Sequence, residues 1–490
     1  MLFPLYGSSI TCQFVLIIED QNHFYHTMNI QPKIKPVLDE GFVPAVLWRR
    51  AFDEKVAADT GAHDVQIALG RLDGTTYRSD VRILSHEGDN VALNIKYVER
   101  LIKFLLWGKG GCNIFIAGND TLAAQIREIY SETGARHFDW DIIGKGMFSQ
   151  NIKVIATSVA EIPAEKAVAA PIGRHLKGNR IGFDLGGSDR KCAAVIDGEV
   201  VFSTEIPWDP YFKDDPSYQS DGIIDSLKLA AEHLPTVDAI GGSSAGVYIN
   251  NEVRIASLFR GITDEKVFDE VVRPMFKNLI EKEYPGVPYE VINDGEVTAL
   301  AGSMSMNANS VLGIAMGTSE AVGYVDPDGN VTTQINELAF APIDYRENGP
   351  NDEWSGDMGC GVQFFCQQGV ARLAPAAGFS FGDMPFPEQL IEVQKAMLEG
   401  NDGARQIYET IGTCFGYAIA HYAEFYHIET LIIMGRATSG PGGQVMIDKA
   451  QEVLDLEFPE LARQINITQP DEKMKRHGQA VAAASLPKGK

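Results

Sequence analysis

The sequence has few cysteines, few basic residues and no long hydrophobic run. Its six cysteines in 490 residues form no dense framework, which argues against a disulfide-rich domain and favours reduced thiols in a cytoplasmic protein. Lys and Arg number 42 against 66 Asp and Glu, and the resulting net charge of −24 repels phosphate backbones and anionic lipids. No apolar run approaches the ~20 residues that span a bilayer. We therefore expect a cytoplasmic protein that binds neither nucleic acid nor membranes.

The first 27 residues leave two interpretations open. The apolar stretch Ile10–Ile18 has no preceding basic residue and no cleavage pattern after it, which disfavours a signal peptide. These residues form either a peripheral strand or an overextended start, because Met28 opens a more ordinary N-terminus.

Apolar, β-branched runs that end in small residues and precede helical patterns predict an α/β architecture. The runs span 65–70, 113–118, 180–187, 239–246, 289–295, 310–319 and 430–437. The stretch 160–179, which is rich in proline and glycine, predicts a boundary after an N-terminal α/β domain at 28–165. The C-terminal residues 485–490 are expected to fray.

Asp184 ends one of the predicted strands, and Gly186-Gly187-Ser188 forms the turn into the next strand. Two glycines let the backbone approach a ligand closely, and successive amides with a hydroxyl can hold a phosphate. An ordinary hairpin with a glycine turn explains the same pattern equally well.

Asn293 and Asp294 stand between a predicted strand and a predicted helix. Asp is a preferred N-cap, and for the isolated motif this structural role is the more economical explanation. The functional interpretation is a general base beside a sugar-binding asparagine.

Two more strands end in turns of small residues. Gly317-Thr318-Ser319 repeats the layout around Asp184 about 130 residues later, and Gly435–Gly440 leads into a helix. The second of these turns could pack against an adenine or a ribose.

These four motifs, in this order, resemble those of the actin/hexokinase/Hsp70 ATPase superfamily, and within it the ROK sugar kinases (repressors, open reading frames and kinases). The similarity covers roughly residues 180–458, and 239–262 resembles the family's sugar-facing loop. The resemblance implies a two-lobed, ribonuclease H-like α/β fold with lobes at 180–305 and 306–470. It also implies a C-terminal helix that returns to the first lobe, and it leaves the N-terminal domain as an addition.

The resemblance further implies roles for single residues. Asp294 would be the base that deprotonates the sugar hydroxyl, Asn293 and Glu337 would bind the sugar, and Asp184 would hold Mg²⁺ through water. The residues placed at ATP would be Gly186, Gly187, Ser188, Lys191, Gly317, Thr318, Ser319, Gly435 and Gly440.

Several positions depart from the family's pattern. Phe340 replaces a histidine, and only Cys360 and Cys366 remain of the zinc segment, so no structural zinc is expected. The regulatory members carry a winged helix-turn-helix at the N-terminus. Strand-like runs and the missing basic patch disfavour it here, and instead favour a partner-binding or dimerisation module.

We therefore expect a Mg²⁺- and ATP-dependent sugar kinase of hexokinase or glucokinase type. Its partners would be a sugar and ATP, with a homodimer allowed. The alternative is a non-catalytic sugar or nucleotide sensor that keeps the fold. Asp294 favours the enzyme, and the glycine-poor loop around Ser319 favours the sensor.

Overall fold

The computed structural model describes residues 28, 30–166, 172–470 and 478–489. The two interpretations of the first 27 residues, Cys12 included, lie outside these ranges. Within them, the cysteines are buried and free: Cys112, Cys192, Cys360, Cys366 and Cys414. No helix in the same ranges has both the length and the apolar character needed to cross a membrane.

The strands of the described ranges fall into sheets of four, two, five and four members. They are β1 (His63–Gly70), β2 (Thr76–Ile83), β3 (Asn113–Ala117), β4 (Lys153–Thr157), β5 (Asn179–Leu185), β6 (Asp189–Ile196), β7 (Glu199–Pro207), β8 (Ala239–Ser244), β9 (Val247–Ile249), β10 (Glu252–Ile255), β11 (Tyr289–Asn293), β12 (Val311–Met316), β13 (Glu320–Val325), β14 (Thr430–Met434) and β15 (Asn466–Thr468).

The α-helices lie between these strands and cover the faces of the sheets. They are α1 (Ala45–Ala58), α2 (Asn90–Gly108), α3 (Asp120–Ile129), α4 (His137–Asp139), α5 (Ser217–Ala231), α6 (Glu265–Val267), α7 (Met275–Glu283), α8 (Asp294–Met306), α9 (Gln367–Leu373), α10 (Phe386–Leu398), α11 (Asp402–Tyr422), α12 (Pro441–Glu457), α13 (Pro459–Gln464) and α14 (Gln479–Ala484).

The two larger sheets after residue 178 repeat one topology. The first has the order β11-β8-β5-β6-β7, in which β5, β6 and β7 are antiparallel neighbours and β8 and β11 run parallel to β5. The second has the order β13-β12-β14-β15, with an antiparallel β12–β13 pair followed by parallel strands. Each sheet thus begins with a hairpin and continues in parallel, which confirms the predicted two-lobed α/β fold.

The C-terminal residues pack onto the first of these sheets. A side chain at Gly182 would collide with Ala480 of α14, so a strand glycine lets this helix approach closely. Arg180 Nη1 donates to the carbonyl oxygens of Ala484 (3.1 Å) and Pro487 (2.9 Å), and Leu486 is buried. The prediction that the C-terminus frays is therefore wrong, because a buried arginine binds its carbonyl groups.

Residues 30–166, called the N-terminal unit below, form a sheet of order β2-β1-β3-β4 with α1, α2 and α3 around it. Its hydrophobic core continues into the second lobe. The ring of Phe340 lies 4.6 Å from Trp107 of α2 and 4.9 Å from Trp354, centroid to centroid. This core contains residues from both sides of the 160–179 stretch. The boundary of an N-terminal domain at 28–165 therefore stays a prediction.

A buried ion network joins α2 to the second lobe. Lys103 Nζ lies 2.9 Å from Asp139 and 3.1 Å from Asp357, and Arg100 Nη1 lies 3.2 Å from Asp357. Arg136 adds a third cation at 2.5 Å from the same carboxylate. Burial alone would raise the pKa of Asp357, but the charges of Arg100 and Lys103 lower it. Asp357 is therefore the anion on which three cations of the N-terminal unit converge.

Replacing Asp357 by Asn should lower the free energy of unfolding by about 3–5 kcal/mol, because it leaves buried cations without their shared counter-ion. Urea unfolding followed by fluorescence measures the change. The exposed Asp328→Asn, in the turn after β13, is the control and should unfold like the wild type. Equal stability of Asp357→Asn and wild type would mean that the network contributes nothing net.

Candidate active site

The turn between β5 and β6 leaves two backbone amides free. Gly186 N donates to Asp189 O (2.9 Å) and closes the hairpin, whereas the amides of Gly187 and Ser188 have no acceptor in the described ranges. Trp208 holds the turn from outside, since its Nε1 donates to Gly186 O (2.7 Å) and its amide to Ser188 O (3.1 Å). This turn can therefore offer two amides to an anion.

Asp184 lies at the carboxyl end of β5, beside the end of β8. Ser243 Oγ donates to its Oδ1 (2.6 Å), and Lys191 Nζ lies 3.9 Å from Oδ2 and 3.1 Å from Asp189. Burial raises the pKa of Asp184. Lys191, predicted to contact ATP, is thus engaged by two carboxylates.

A magnesium ion fits Asp184 only through water. In the parts of the chain that the structure describes, no three His, Cys, Asp or Glu side chains gather as metal ligands. Mg²⁺ keeps several waters and commonly uses one or two protein carboxylates with substrate phosphates. Asp184 beside two free amides agrees with that arrangement.

Asn293, not Asp294, caps helix α8. Asn293 Oδ1 accepts from Gly295 N (2.7 Å), and its Nδ2 donates to Gly246 O (2.7 Å). Asp294 is the first residue of the helix and accepts a longer bond from the same amide (3.0 Å). The cap explanation for Asp294 is therefore weakened, while both ends of the Asn293 side chain are committed to holding the chain.

The turn between β12 and β13 mirrors the first turn. Gly317 N donates to Ser319 O (2.9 Å), Gln367 N donates to Gly317 O (3.0 Å), and the amides of Thr318 and Ser319 have no acceptor among the described residues. Each lobe therefore presents a pair of free amides at the end of its first hairpin.

The two glycines predicted at the adenosine differ in their surroundings. Gly435 has φ +100°, and a side chain there would collide with Met316 O, so it packs against the end of β12. Gly440 has φ +73° and faces open space before α12. Gly435 thus borders the second turn, whereas a side chain at Gly440 would meet no other part of the described chain.

Asp294 of the first lobe and Glu337 of the second lobe lie near each other. Glu337 follows Asn336, whose φ of +52° lies in the left-handed region. The carboxylate of Glu337 accepts no hydrogen bond from the described chain. Burial and then the negative charge of Asp294 raise the pKa of Glu337 to about 7. Burial and the charge of Asp184 likewise raise the pKa of Asp294 to about 6. The three predicted carboxylates are therefore close enough for their charges to interact, and the place where they meet is called the cleft below.

Two further buried glutamates belong to this cleft, and the sequence interpretation missed both. Glu296 accepts from Tyr324 N (3.1 Å) and from Asn336 Nδ2. Both carboxylate oxygens of Glu320 are buried without a hydrogen-bond partner, and a side chain at Gly361 would collide with one of them. Burial and the charge of Glu337 raise the pKa of Glu320 to about 8. The sequence did contain a signal for both, because Glu296 and Glu320 are acidic residues within mostly apolar stretches.

An arginine beside the first turn was also missed. The Arg260 guanidinium carbon lies 4.0 Å from the ring centre of Tyr211 and 4.5 Å from that of Phe212. The Tyr211 hydroxyl in turn abuts Gly187, where a side chain would collide with it. This cation stacks on aromatic rings at the edge of the first lobe's turn.

No protein-family model matches the chain, and no curated protein matches it. Solved structures do match. A ROK hexokinase from Thermus thermophilus is 17% identical, with 62% of this chain and 96% of that chain covered and a TM-score of 0.47. A ROK family glucokinase from Streptomyces griseus, solved with glucose and AMPPNP, is 18% identical, with 63% and 98% covered and a TM-score of 0.45.

A ROK family transcriptional regulator, a homologue of the E. coli MLC protein, also matches. It is 17% identical, with 64% of this chain and 79% of that chain covered and a TM-score of 0.48. The strand order of the chain's own sheets shows the two-lobed α/β fold, and overlaps at such identities carry no statement about activity.

Replacing Glu320 by Gln should stabilise the protein increasingly as pH rises from 5 to 9. The folded-state pKa of about 8 lies above the ordinary 4.5, so the folded protein holds an extra proton between these values and loses stability as pH climbs. Gln removes this cost. Thermal unfolding between pH 5 and 9 tests it, with the exposed Glu353→Gln as control. A difference in melting temperature that does not grow with pH would contradict the prediction.

Proposed function

We propose that the protein is a Mg²⁺- and ATP-dependent sugar kinase that acts in the cytoplasm. The observation that supports this most is Asp294, a carboxylate with a pKa of about 6 where two lobes meet that each present free backbone amides. A general base works best with a pKa near the operating pH. The sugar, and the hydroxyl that is phosphorylated, are left to experiment.

In this proposal the sugar hydroxyl donates its proton to Asp294 while its oxygen attacks the γ-phosphorus of ATP. The bond from that phosphorus to the bridging oxygen of the β-phosphate breaks, and ADP leaves with the electron pair. Glu337 accepts hydrogen bonds from neighbouring hydroxyls and fixes the ring. Asn293 holds the strand–helix junction, so that Asp294 faces the cleft. Positioning and charge stabilisation account for most of the rate in such phosphoryl transfers.

The free amides at Gly187, Ser188, Thr318 and Ser319 would bind the phosphate oxygens of the nucleotide. Asp184 would orient hydrated Mg²⁺, and Gly435 would border the adenosine. Bound ATP would supply the phosphoryl group, and Mg²⁺ would offset the negative charge of the phosphates.

A non-catalytic sensor remains the second candidate, and one observation favours it. Lys191 is paired with Asp184 and Asp189, so the first turn has no uncommitted lysine for the phosphates. Such a protein would bind a sugar or nucleotide without consuming ATP.

A panel of hexoses and amino sugars, with ATP consumption as the readout, separates the two candidates. Turnover of at least one sugar supports the kinase. Calorimetric binding of a sugar or of ATP without turnover would support the sensor.

For the sugar found, Asp294→Asn should lower kcat by about 10²–10⁴-fold, because the hydroxyl loses its proton acceptor. In the wild type, kcat should rise as pH increases through about 6, since only ionised Asp294 accepts a proton. The chain supplies a matched control: Asn401-Asp402-Gly403 starts α11 as Asn293-Asp294-Gly295 starts α8, but Asp402 is exposed. Asp402→Asn should leave kcat unchanged. A kcat of Asp294→Asn within threefold of the wild type would rule out Asp294 as the base.

A further inference from the structure

Every residue of the segment 333–337, which ends at Glu337 and is called the Glu337 segment, touches the N-terminal unit. Arg71 Nη1 donates to Thr333 O and Oγ1 (both 2.7 Å), Lys109 Nζ donates to Gln334 Oε1 (3.0 Å), Ile335 packs on Gly110, Asn336 N donates to Gly108 O (2.9 Å), and Glu337 N donates to Trp107 O (2.9 Å). A proposed ligand carboxylate of the second lobe is thus held by a different part of the chain.

The end of helix α2 accounts for this contact. The last carbonyl groups of a helix have no partner within it and need donors from elsewhere. The amides of Asn336 and Glu337 supply two of these donors, so the Glu337 segment serves as the C-terminal cap of α2. Arg71 closes the contact by donating to Lys109 O and to Gly110 O (3.1 Å) as well as to Thr333.

Asn336 leaves the backbone of Glu337 little freedom. It is buried, and its φ of +52° is an unusual conformation for a residue with a side chain. Its Nδ2 donates to Glu296 of α8, and its Oδ1 accepts from Tyr426 Oη (2.8 Å). Three separate parts of the chain therefore fix the residue before Glu337.

We propose that the N-terminal unit is a working part of the ligand site, in which Arg71 and the α2 end position Glu337. The identity of the ligand rests on the proposed function, whereas the positioning does not. Arg71 and Asn336 are positioning residues, since they act through the backbone of Glu337. Because coupling is reciprocal, a ligand bound to Glu337 also stabilises the packing of α2.

Hydrogen exchange followed by mass spectrometry tests the positioning on the full chain without any ligand. In Arg71→Ala the amides of Asn336 and Glu337 should exchange at least about tenfold faster, because Arg71 no longer joins the Glu337 segment to the α2 end. Arg78→Ala is the matched control: it removes an arginine of the same unit that contacts Asp80 (2.8 Å) and Pro163, and it should leave both amides protected. Thr333→Val, which removes a single acceptor of Arg71, should give a smaller increase at the same amides and covers the case in which Arg71→Ala fails to fold.

The kinetic arm distinguishes positioning from a merely structural role. With the sugar identified in the panel, Arg71→Ala should raise KM at least about tenfold and leave kcat within about threefold, because Asp294 is untouched. Arg78→Ala should change neither. Unchanged exchange at Asn336 and Glu337 in both Arg71→Ala and Thr333→Val, or faster exchange with an unchanged KM, would overturn the proposal. If no sugar is phosphorylated, the proposed function fails, and the exchange result alone decides whether the N-terminal unit positions Glu337.

Discussion

Four of the five carboxylates in the cleft have no cation beside them, and the rest of the structure has to hold them there. Asp294, Glu296, Glu320 and Glu337 form no ion pair with any Lys or Arg of the described chain. Burial raises all four pKa values, and the groups repel one another in pairs. Such an arrangement opposes folding, so surrounding contacts must stabilise it.

The N-terminal unit supplies some of these contacts. Its cations meet the second lobe at Asp357, and its helix end binds the backbone of Glu337. The second lobe is therefore held at two points: by ion pairs at Asp357, and by neutral backbone hydrogen bonds at Glu337. A cation next to Glu337 would have bound the lobe more directly, but it would have paired with the carboxylate that the proposed sugar contacts.

The sequence predicts β5, β8, β12 and β14 well because each is a mostly apolar run that is followed by a small residue. The Asp184 and Gly317 turns, and the helix after Asp294, followed from the same patterns. The sequence could not separate Asn293-Asp294-Gly295 from Asn401-Asp402-Gly403, since both begin a helix and only the fold makes Asp294 half-buried and leaves Asp402 exposed. The sequence did not predict the roles of Glu320 and Asn336, for a related reason. Their roles depend on contacts with residues far along the chain, such as Gly361 and Tyr426, which no local pattern encodes.

The charges of the cleft also restrict what can enter it. Above their pKa values of about 7 and about 6, Glu337 and Asp294 are ionised and only accept hydrogen bonds, so a group that satisfies them must bring donors and no negative charge. Sugar hydroxyls meet both conditions, whereas a phosphate at the same place would add to the repulsion. Phosphates would find hydrogen-bond donors at the two turns, in the free amides of Gly187 and Thr318. In the proposed function, this separation of acceptors at the lobe junction from donors at the turns would let one cleft hold a neutral polyol beside an anionic nucleotide.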